Sequence, residues 1–248
     1  MAYNKYIKEY NDKGITRIPG VYTMEEMDIL KKEAYTLTPD GITEAGYTHR
    51  SFEYSGDKPA LAFYPAIANS YFNKIRKDKR MVDIVKAFIG NDVKQVNNQV
   101  YFREAGDQDE FAWHQDIVFR TPRGRFPGVE EGYLQTILVV DDMTIDNGAI
   151  EFIDGSHKEG EQHLTSNKTL TRMLRHFKRH GLEGTKYTAK KGDLLLWGVL
   201  TVHGSEANTS DSDRMTYMNG YCKAENCKDY PWYLQDGKVQ DIDPALIP

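Results

Sequence analysis

The chain predicts a mainly β protein, a sandwich or barrel buttressed by N-terminal helices. Helix-period patterning dominates before Lys94, and short segments rich in β-branched and aromatic residues crowd the rest. Gly, Asp or Asn bounds those short segments, as turns between strands require. Helices first and many strands afterwards is the order expected of such a layered fold.

Each element has its own signal. Thr23-Met24-Glu25-Glu26 has capping-box spacing, and Met24, Met27, Leu30 and Ala34 then recur at helical intervals. A second helical region is expected from about Pro65 to Ile89, with Gly90 as its stop. The strand candidates are QVNNQVYFRE, AWHQDIVF, YLQTILVV, AIEFI, KYTAK, DLLLWGVLTV and RMTYMNGY. Between them, Lys168 to Leu182 reads as one inserted amphipathic helix. No repeat, low-complexity tract or linker divides the chain. A single domain over 1–248 is expected: a helical part about 1–93, a β core about 94–224 and a tail about 225–248.

Composition narrows the class. The 248 residues can bury a sizeable core, and a formal net charge of -5 argues against an extended nucleic-acid-binding face. There is no run of about 18 apolar residues to make a transmembrane helix. The polar, charged start MAYNKYIKEYNDKGI lacks the apolar centre of a signal peptide. Cys222 and Cys227, with no second pair, read as reduced thiols of a cytoplasmic protein.

The chemistry is carried by Trp113-His114-Gln115-Asp116, answered later by His203 and Arg214. Two imidazoles and one carboxylate form the ligand set of a non-haem iron site with open positions. In an extended segment His114 and Asp116 would project together while Gln115 turns away. His203 ends the apolar run DLLLWGVLTV, and closing the barrel would bring it beside that pair. An isolated His-x-Asp is more often a surface pair, so the weight falls on the residues downstream of it. Arg214 offers a permanently charged, bidentate partner for a co-substrate carboxylate, which points to 2-oxoglutarate.

The segment His203-Gly204-Ser205 through Asp213-Arg214 closely resembles the distal-histidine region of the phytanoyl-CoA dioxygenase family. The resemblance extends to the Trp113–Asp116 block, Leu138 to Thr144, Asn147-Gly148-Ala149 and Gly155-Ser156-His157-Lys158. It spans about Asn97 to Tyr221 in the family's order. It implies a double-stranded β-helix (a jelly roll, cupin-like) and an Fe(II)- and 2-oxoglutarate-dependent dioxygenase using O2. By resemblance His114, Asp116 and His203 bind iron, and Arg214 and Ser205 bind 2-oxoglutarate. Gln99 and Thr136 are further candidates for the keto-acid end. His157 reads as part of a structural turn, and His163, His176 and His180 as solvated. Related halogenases carry Gly or Ala at the carboxylate position, so Asp116 implies hydroxylation of a C–H bond, with succinate and CO2 released.

The expected substrate is a small polar molecule, a free amino acid such as lysine. Arg50 and Arg120 are candidates for its carboxylate, Asn219 and Trp232 for its side-chain end, and Asp109 or Glu110 for an amine. Phe119 to Glu131, with two Pro, two Gly and three Arg, is read as a lid over the site. Three alternatives stand beside this reading: an oxygenase tailoring a larger natural product, a cupin-like metal enzyme independent of 2-oxoglutarate, and a non-catalytic binding jelly roll.

Overall fold

The computed structural model describes residues 3–46, 52–55, 58–162 and 167–248. The N-terminal part runs α1 (Asn4–Lys13), β1 (Ile15–Ile18), α2 (Met24–Ala34), α3 (Pro39–Glu44), β2 (Phe52–Ser55), β3 (Lys58–Phe63), α4 (Pro65–Ala68), α5 (Ser70–Lys77) and α6 (Lys79–Ile89). The β core and C-terminal segment follow as β4 (Val93–Arg103), β5 (Phe111–His114), α7 (Val129–Gly132), β6 (Tyr133–Val139), β7 (Ile150–Ile153), α8 (Asn167–Arg179), β8 (Gly184–Lys186), β9 (Leu194–Trp197), β10 (His203–Ser205), β11 (Arg214–Lys223), β12 (Trp232–Gln235) and β13 (Lys238–Val239).

The expected capping box forms in full. Glu26 N donates to Thr23 Oγ1 (3.2 Å), and Thr23 N donates to Glu26 Oε2 (2.8 Å). Met27, Leu30 and Ala34 are buried, but Met24 is 68% exposed because it opens the helix ahead of the apolar stripe. The helical region expected over Pro65 to Ile89 is present and divides into three helices. Asn69 Oδ1 accepts from Tyr71 N and Phe72 N, and Asp78 Oδ1 accepts from Arg80 N. Each side chain restarts a helix where the chain would otherwise have continued one.

All strand pairings are antiparallel. The major sheet orders β1-β9-β6-β11-β4-β12-β13, with β3 also on β4 and β2 on β3. The minor sheet orders β5-β10-β7-β8. The two face each other as a jelly roll, so the predicted fold class is found. The N-terminal part also supplies three strands, and the segment expected as a tail supplies β12 and β13.

Strand alternation divides the core. Val100, Leu134, Leu138, Leu194, Leu196 and Tyr217 pack with the helical residues Met27, Leu30, Phe72, Ile75 and Val85. Their neighbours Ile137, Val139, Leu195 and Trp197 turn the other way, against Ile150 and Phe152 of the minor sheet. Leu194 to Trp197 is therefore apolar throughout because both its faces are covered. On the far side of the minor sheet, α8 buries Met173 and Phe177 against Ile153 and Val202.

Two predicted strands are shorter than their apolar runs. DLLLWGVLTV stops at Trp197, turns through a Thr201 N to Gly198 O bond (3.0 Å), and resumes in the other sheet at His203. His203 therefore begins β10 and does not end β9. AWHQDIVF is extended only to Gln115 (φ -118°, ψ 138°) and closes into a 3-10 turn over Asp116–Phe119.

Candidate metal centre

The site forms where the chain changes sheets. His203 on β10 pairs directly with His114 on β5, and their ring centroids lie 4.2 Å apart. The extended backbone of Gln115 keeps Asp116 on the same side as His114, although Asp116 already belongs to the following turn. Gln115 itself turns away and donates to Leu200 O (2.7 Å) and Gly160 O (3.0 Å).

Three donor atoms converge. Asp116 Oδ1 lies 3.7 Å from His114 Nε2 and 3.8 Å from His203 Nε2, and the ligand atoms of the three residues all fall within 4.8 Å of one another. The other ring nitrogens are engaged outward. His114 Nδ1 donates to Ala112 O (2.8 Å), and His203 Nδ1 donates to Thr201 O (2.9 Å). A carbonyl can only accept, so in the neutral rings both Nε2 lone pairs face the centre. Trp197 Nε1 donates to Asp116 Oδ2 (2.8 Å), which leaves Oδ1 for the centre.

Electrostatics favour the same protonation states. Burial alone would raise the Asp116 carboxyl, but the His203 and His114 imidazoles beside it outweigh that and hold it at about 2. Burial, reinforced by His114, pushes His203 down to about 4. A carboxylate and a neutral imidazole are the forms a metal ion binds. The donor set fits a divalent iron held on one face.

A cavity of about 550 Å³ opens over this centre. Arg214 and Arg120 line it from opposite ends of β11: Arg214 begins that strand, and Arg120 Nη2 donates to the hydroxyl of Tyr133, which pairs with Cys222 near its end. Both guanidiniums are buried, and the Nε of each lacks a partner. Arg214 donates to Gly148 O. That carbonyl belongs to a glycine with φ 77°, where a Cβ would meet Glu206 O at 2.6 Å, so the Asn147-Gly148 turn has to be glycine. Burial and the neighbouring Arg103 pull Arg214 down to about 10, whereas Arg120 is raised: burial opposes its charge, but Tyr133 and Asp116 favour it. A buried, incompletely satisfied cation facing a cavity is a site for an anion.

The remaining predicted residues divide. Ser205 and Gln99 line the cavity. Thr136 and Asn219 do not, because both point to the helical side of the major sheet. Thr136 Oγ1 donates to Asn219 O (3.0 Å), and Asn219 Oδ1 accepts from Gln95 (2.8 Å) and Asn98 (2.7 Å). Their chain neighbours Gln135 and Met218 face the site instead, a one-residue error of strand parity. Trp232 also lies outside the lining, under the ammonium of Lys94 at 3.9 Å from the ring centroid. Asp109 and Glu110 are exposed, and neither belongs to the lining. Arg50 and His163 fall outside the described residues. His157 sits in a short 3-10 turn with Nε2 against Asn11 O (3.1 Å), the structural role expected of it.

Phe119 to Glu131, the segment read as a lid, is largely exposed and anchored by a few side chains. Phe126 and Val129 are buried, and Arg123 pairs with Glu161 (2.5 Å). The segment is fastened to residues 226–230: Asn226 Nδ2 donates to Pro127 O (2.9 Å), Lys228 N to Arg125 O (3.0 Å), and Phe126 packs on Tyr230 with centroids 5.5 Å apart. Tyr230, with φ 93°, lines the cavity. Sequence reading missed Trp197, Tyr230, Gln135 and the aromatic rim of Tyr101, Phe111 and Phe119. The parity of β9, which turns Leu195 and Trp197 inward together, was the available signal for Trp197.

Known proteins agree with this geometry. Residues 10–216 match the phytanoyl-CoA dioxygenase (PhyH) family. The chain is 25% identical to a probable alpha-ketoglutarate-dependent hypophosphite dioxygenase of Stutzerimonas stutzeri, over 97% of this chain and 88% of that protein. It is 23% identical to an ectoine dioxygenase of Halomonas elongata, covering 88% and 69% of the two. In fold it is similar to the crystal structure of EctD from S. alaskensis with 2-oxoglutarate and 5-hydroxyectoine (TM-score 0.75, 18% identity, 98% and 82% covered). With the family's motifs on the residues that build the metal centre, and the match running through most of its length, the chain belongs to the phytanoyl-CoA dioxygenase family of iron- and 2-oxoglutarate-dependent oxygenases.

Proposed function

We propose that this dioxygenase hydroxylates a C–H bond of a small organic acid of the free-amino-acid class. The observation that carries the reading is the placing of two buried, incompletely satisfied guanidiniums, Arg214 and Arg120, at opposite ends of β11 with the His114–Asp116–His203 trio in the same cavity. Arg214 serves the distal carboxylate of 2-oxoglutarate, beside Ser205, and Arg120 serves an acidic group on the substrate. When bound at the trio, iron supplies oxygen activation coupled to decarboxylation of 2-oxoglutarate to succinate and CO2.

The chain's own residues do the rest. Asp116 and the two imidazoles hold the metal from one side. Trp197 fixes the carboxylate, while Tyr101, Phe111 and Phe119 screen the centre from water. A cavity of about 550 Å³ admits the co-substrate and a further organic molecule together. Among the described lining residues Asp116 supplies the sole side-chain carboxylate, so the ammonium of a lysine would meet side-chain amide oxygens, such as that of Asn97, and aromatic faces instead. The presence of Asp116 supports hydroxylation over halogenation. No helix among the described residues is long and apolar enough to cross a membrane, and the free, buried thiols of Cys222 and Cys227 support a reducing, cytoplasmic setting.

An anaerobic absorption titration with Fe(II) and 2-oxoglutarate tests this, repeated with lysine, ornithine, leucine and their decarboxylated amines. A metal-to-keto-acid charge-transfer band is expected, perturbed by the acids and not by the amines, and the acid that perturbs it is hydroxylated with stoichiometric succinate. A band perturbed equally by the amines removes the acid anchor, and a chlorinated product with chloride present removes the hydroxylase assignment.

A further inference from the structure

Arg103 closes β4 directly opposite Arg214 on β11, so two guanidiniums share one face of the sheet in a cross-strand pair. Both are buried, at 2% and 4% exposure. Like charges in that relation repel, and burial sharpens the repulsion. Compensation is partial. Asp107 Oδ2 lies 3.5 Å from Arg103 Nε, and the carbonyls of Asp109 and Gly148 accept from Arg103 and Arg214 respectively. Asn208 Nδ2 donates to Glu104 O (2.7 Å) and Ser212 O (2.9 Å), which ties the end of β4 to the loop leading into β11.

Arg103 does not itself line the cavity; Ser205 does, and Arg103 Nη1 donates to Ser205 Oγ at 2.8 Å. A guanidinium has no lone pair to offer, so in this contact the hydroxyl can only accept. Its own proton is left over, with no acceptor among the described residues, on an oxygen that borders the cavity together with Arg214.

We infer that Arg103 is a positioning residue for the co-substrate: it holds Ser205 as an obligate outward donor and adds the second positive charge that the distal carboxylate of 2-oxoglutarate neutralises. This rests on the proposed placing of that carboxylate at Arg214 and Ser205. Arg103 acts through Ser205 and through its field.

The test is calorimetric binding of 2-oxoglutarate to Fe(II)-loaded protein without oxygen, for the parent, Arg103→Gln, Ser205→Ala and the double variant. 2-Oxopentanoate, which lacks the distal carboxylate, is titrated in parallel. Arg103→Gln is expected to weaken 2-oxoglutarate roughly 10- to 100-fold, the size of a lost charge-assisted contact, and to leave 2-oxopentanoate unchanged. In the Ser205→Ala background the same substitution is expected to cost much less. The inference is overturned if Arg103→Gln binds 2-oxoglutarate as the parent does, if both keto acids weaken alike, or if the cost persists in full without Ser205. Should Arg103→Gln not fold, Arg103→Met, which also removes the charge and the donor, and Ser205→Ala carry the same cycle. A parent that prefers 2-oxopentanoate would sink the placing of the carboxylate itself, a result separable from all of these.

Discussion

Trp197→Phe isolates the indole hydrogen bond to the metal-binding carboxylate. The indole donates at 2.8 Å to Asp116 Oδ2, and donor and acceptor residues are 1% and 7% exposed, so the contact is largely desolvated. Phe keeps an aromatic ring against Phe152 and His203, whose centroids lie 5.3 and 5.2 Å from that of Trp197. A hydrogen bond to a charged group contributes about 1.5–3 kcal/mol, which corresponds to roughly a 10- to 100-fold fall in Fe(II) affinity if the carboxylate is no longer held for the centre. Metal-free protein should also melt earlier, by roughly 2–4 °C for each kcal/mol lost in a chain of this size. Anaerobic Fe(II) competition against a chromogenic chelator measures the first effect and calorimetry the second. Phe152→Leu is the control, since it loosens the same packing without touching the carboxylate. Unchanged iron affinity in Trp197→Phe, or an equal loss in Phe152→Leu, would refute the claim that the indole N–H orients Asp116.

Three other outcomes are expected. Arg214→Met should weaken 2-oxoglutarate by roughly 100-fold or more, since charge-assisted contacts of about 1.5–3 kcal/mol each are lost, while Fe(II) affinity stays; without ligand it should melt higher, because an incompletely compensated buried charge is gone. Arg120→Met should leave 2-oxoglutarate binding intact but raise the substrate KM and uncouple succinate release from hydroxylation, both measurable in one oxygen-consumption assay. Arg80 pairs with Glu26 (2.6 Å) and Asp78 (2.8 Å) and, as the leading cause, holds both carboxyls below their ordinary 4.5 and 3.8. Folded-state values that are depressed give stability present above the ordinary values and lost as pH falls through the lowered ones. The groups are partly exposed, so Arg80→Met should cost only about 1 kcal/mol in urea unfolding at pH 7, and the two proteins should converge at acid pH.

The sequence disclosed the chemistry more readily than the walls around it. His114, Asp116, His203 and Arg214 were legible because the residues from His203 to Arg214 resemble a family's distal-histidine segment, and a signal carried by residue order survives errors in secondary structure. Asp116 proves the point: it lies in a 3-10 turn and not in the expected strand, yet the extended Gln115 preserves the shared side. Thr136 and Asn219 failed for the opposite reason. A strand alternates with a period of two, so naming the face requires the register, and Leu134 to Val139 is buried on both faces and gives no polar phase to read. Arg103 could not be found from composition at all, since its meaning lies in standing across from Arg214. The caps at Asn69 and Asp78 subdivide the helical region over Pro65 to Ile89, a detail its outer bounds do not disclose.

The fastening of residues 119–131 to residues 226–230 has a consequence for how substrate range can change. Each stretch contributes a cavity residue, Arg120 and Tyr230, and each takes its shape from the other through Asn226, Lys228 and Phe126. This part of the cavity wall is thus built of two halves encoded far apart. A graft of either stretch alone from a relative would arrive without its counterpart, so variants with new substrates should emerge from paired exchanges, and among homologues these two stretches should covary more tightly with each other than with the β core between them.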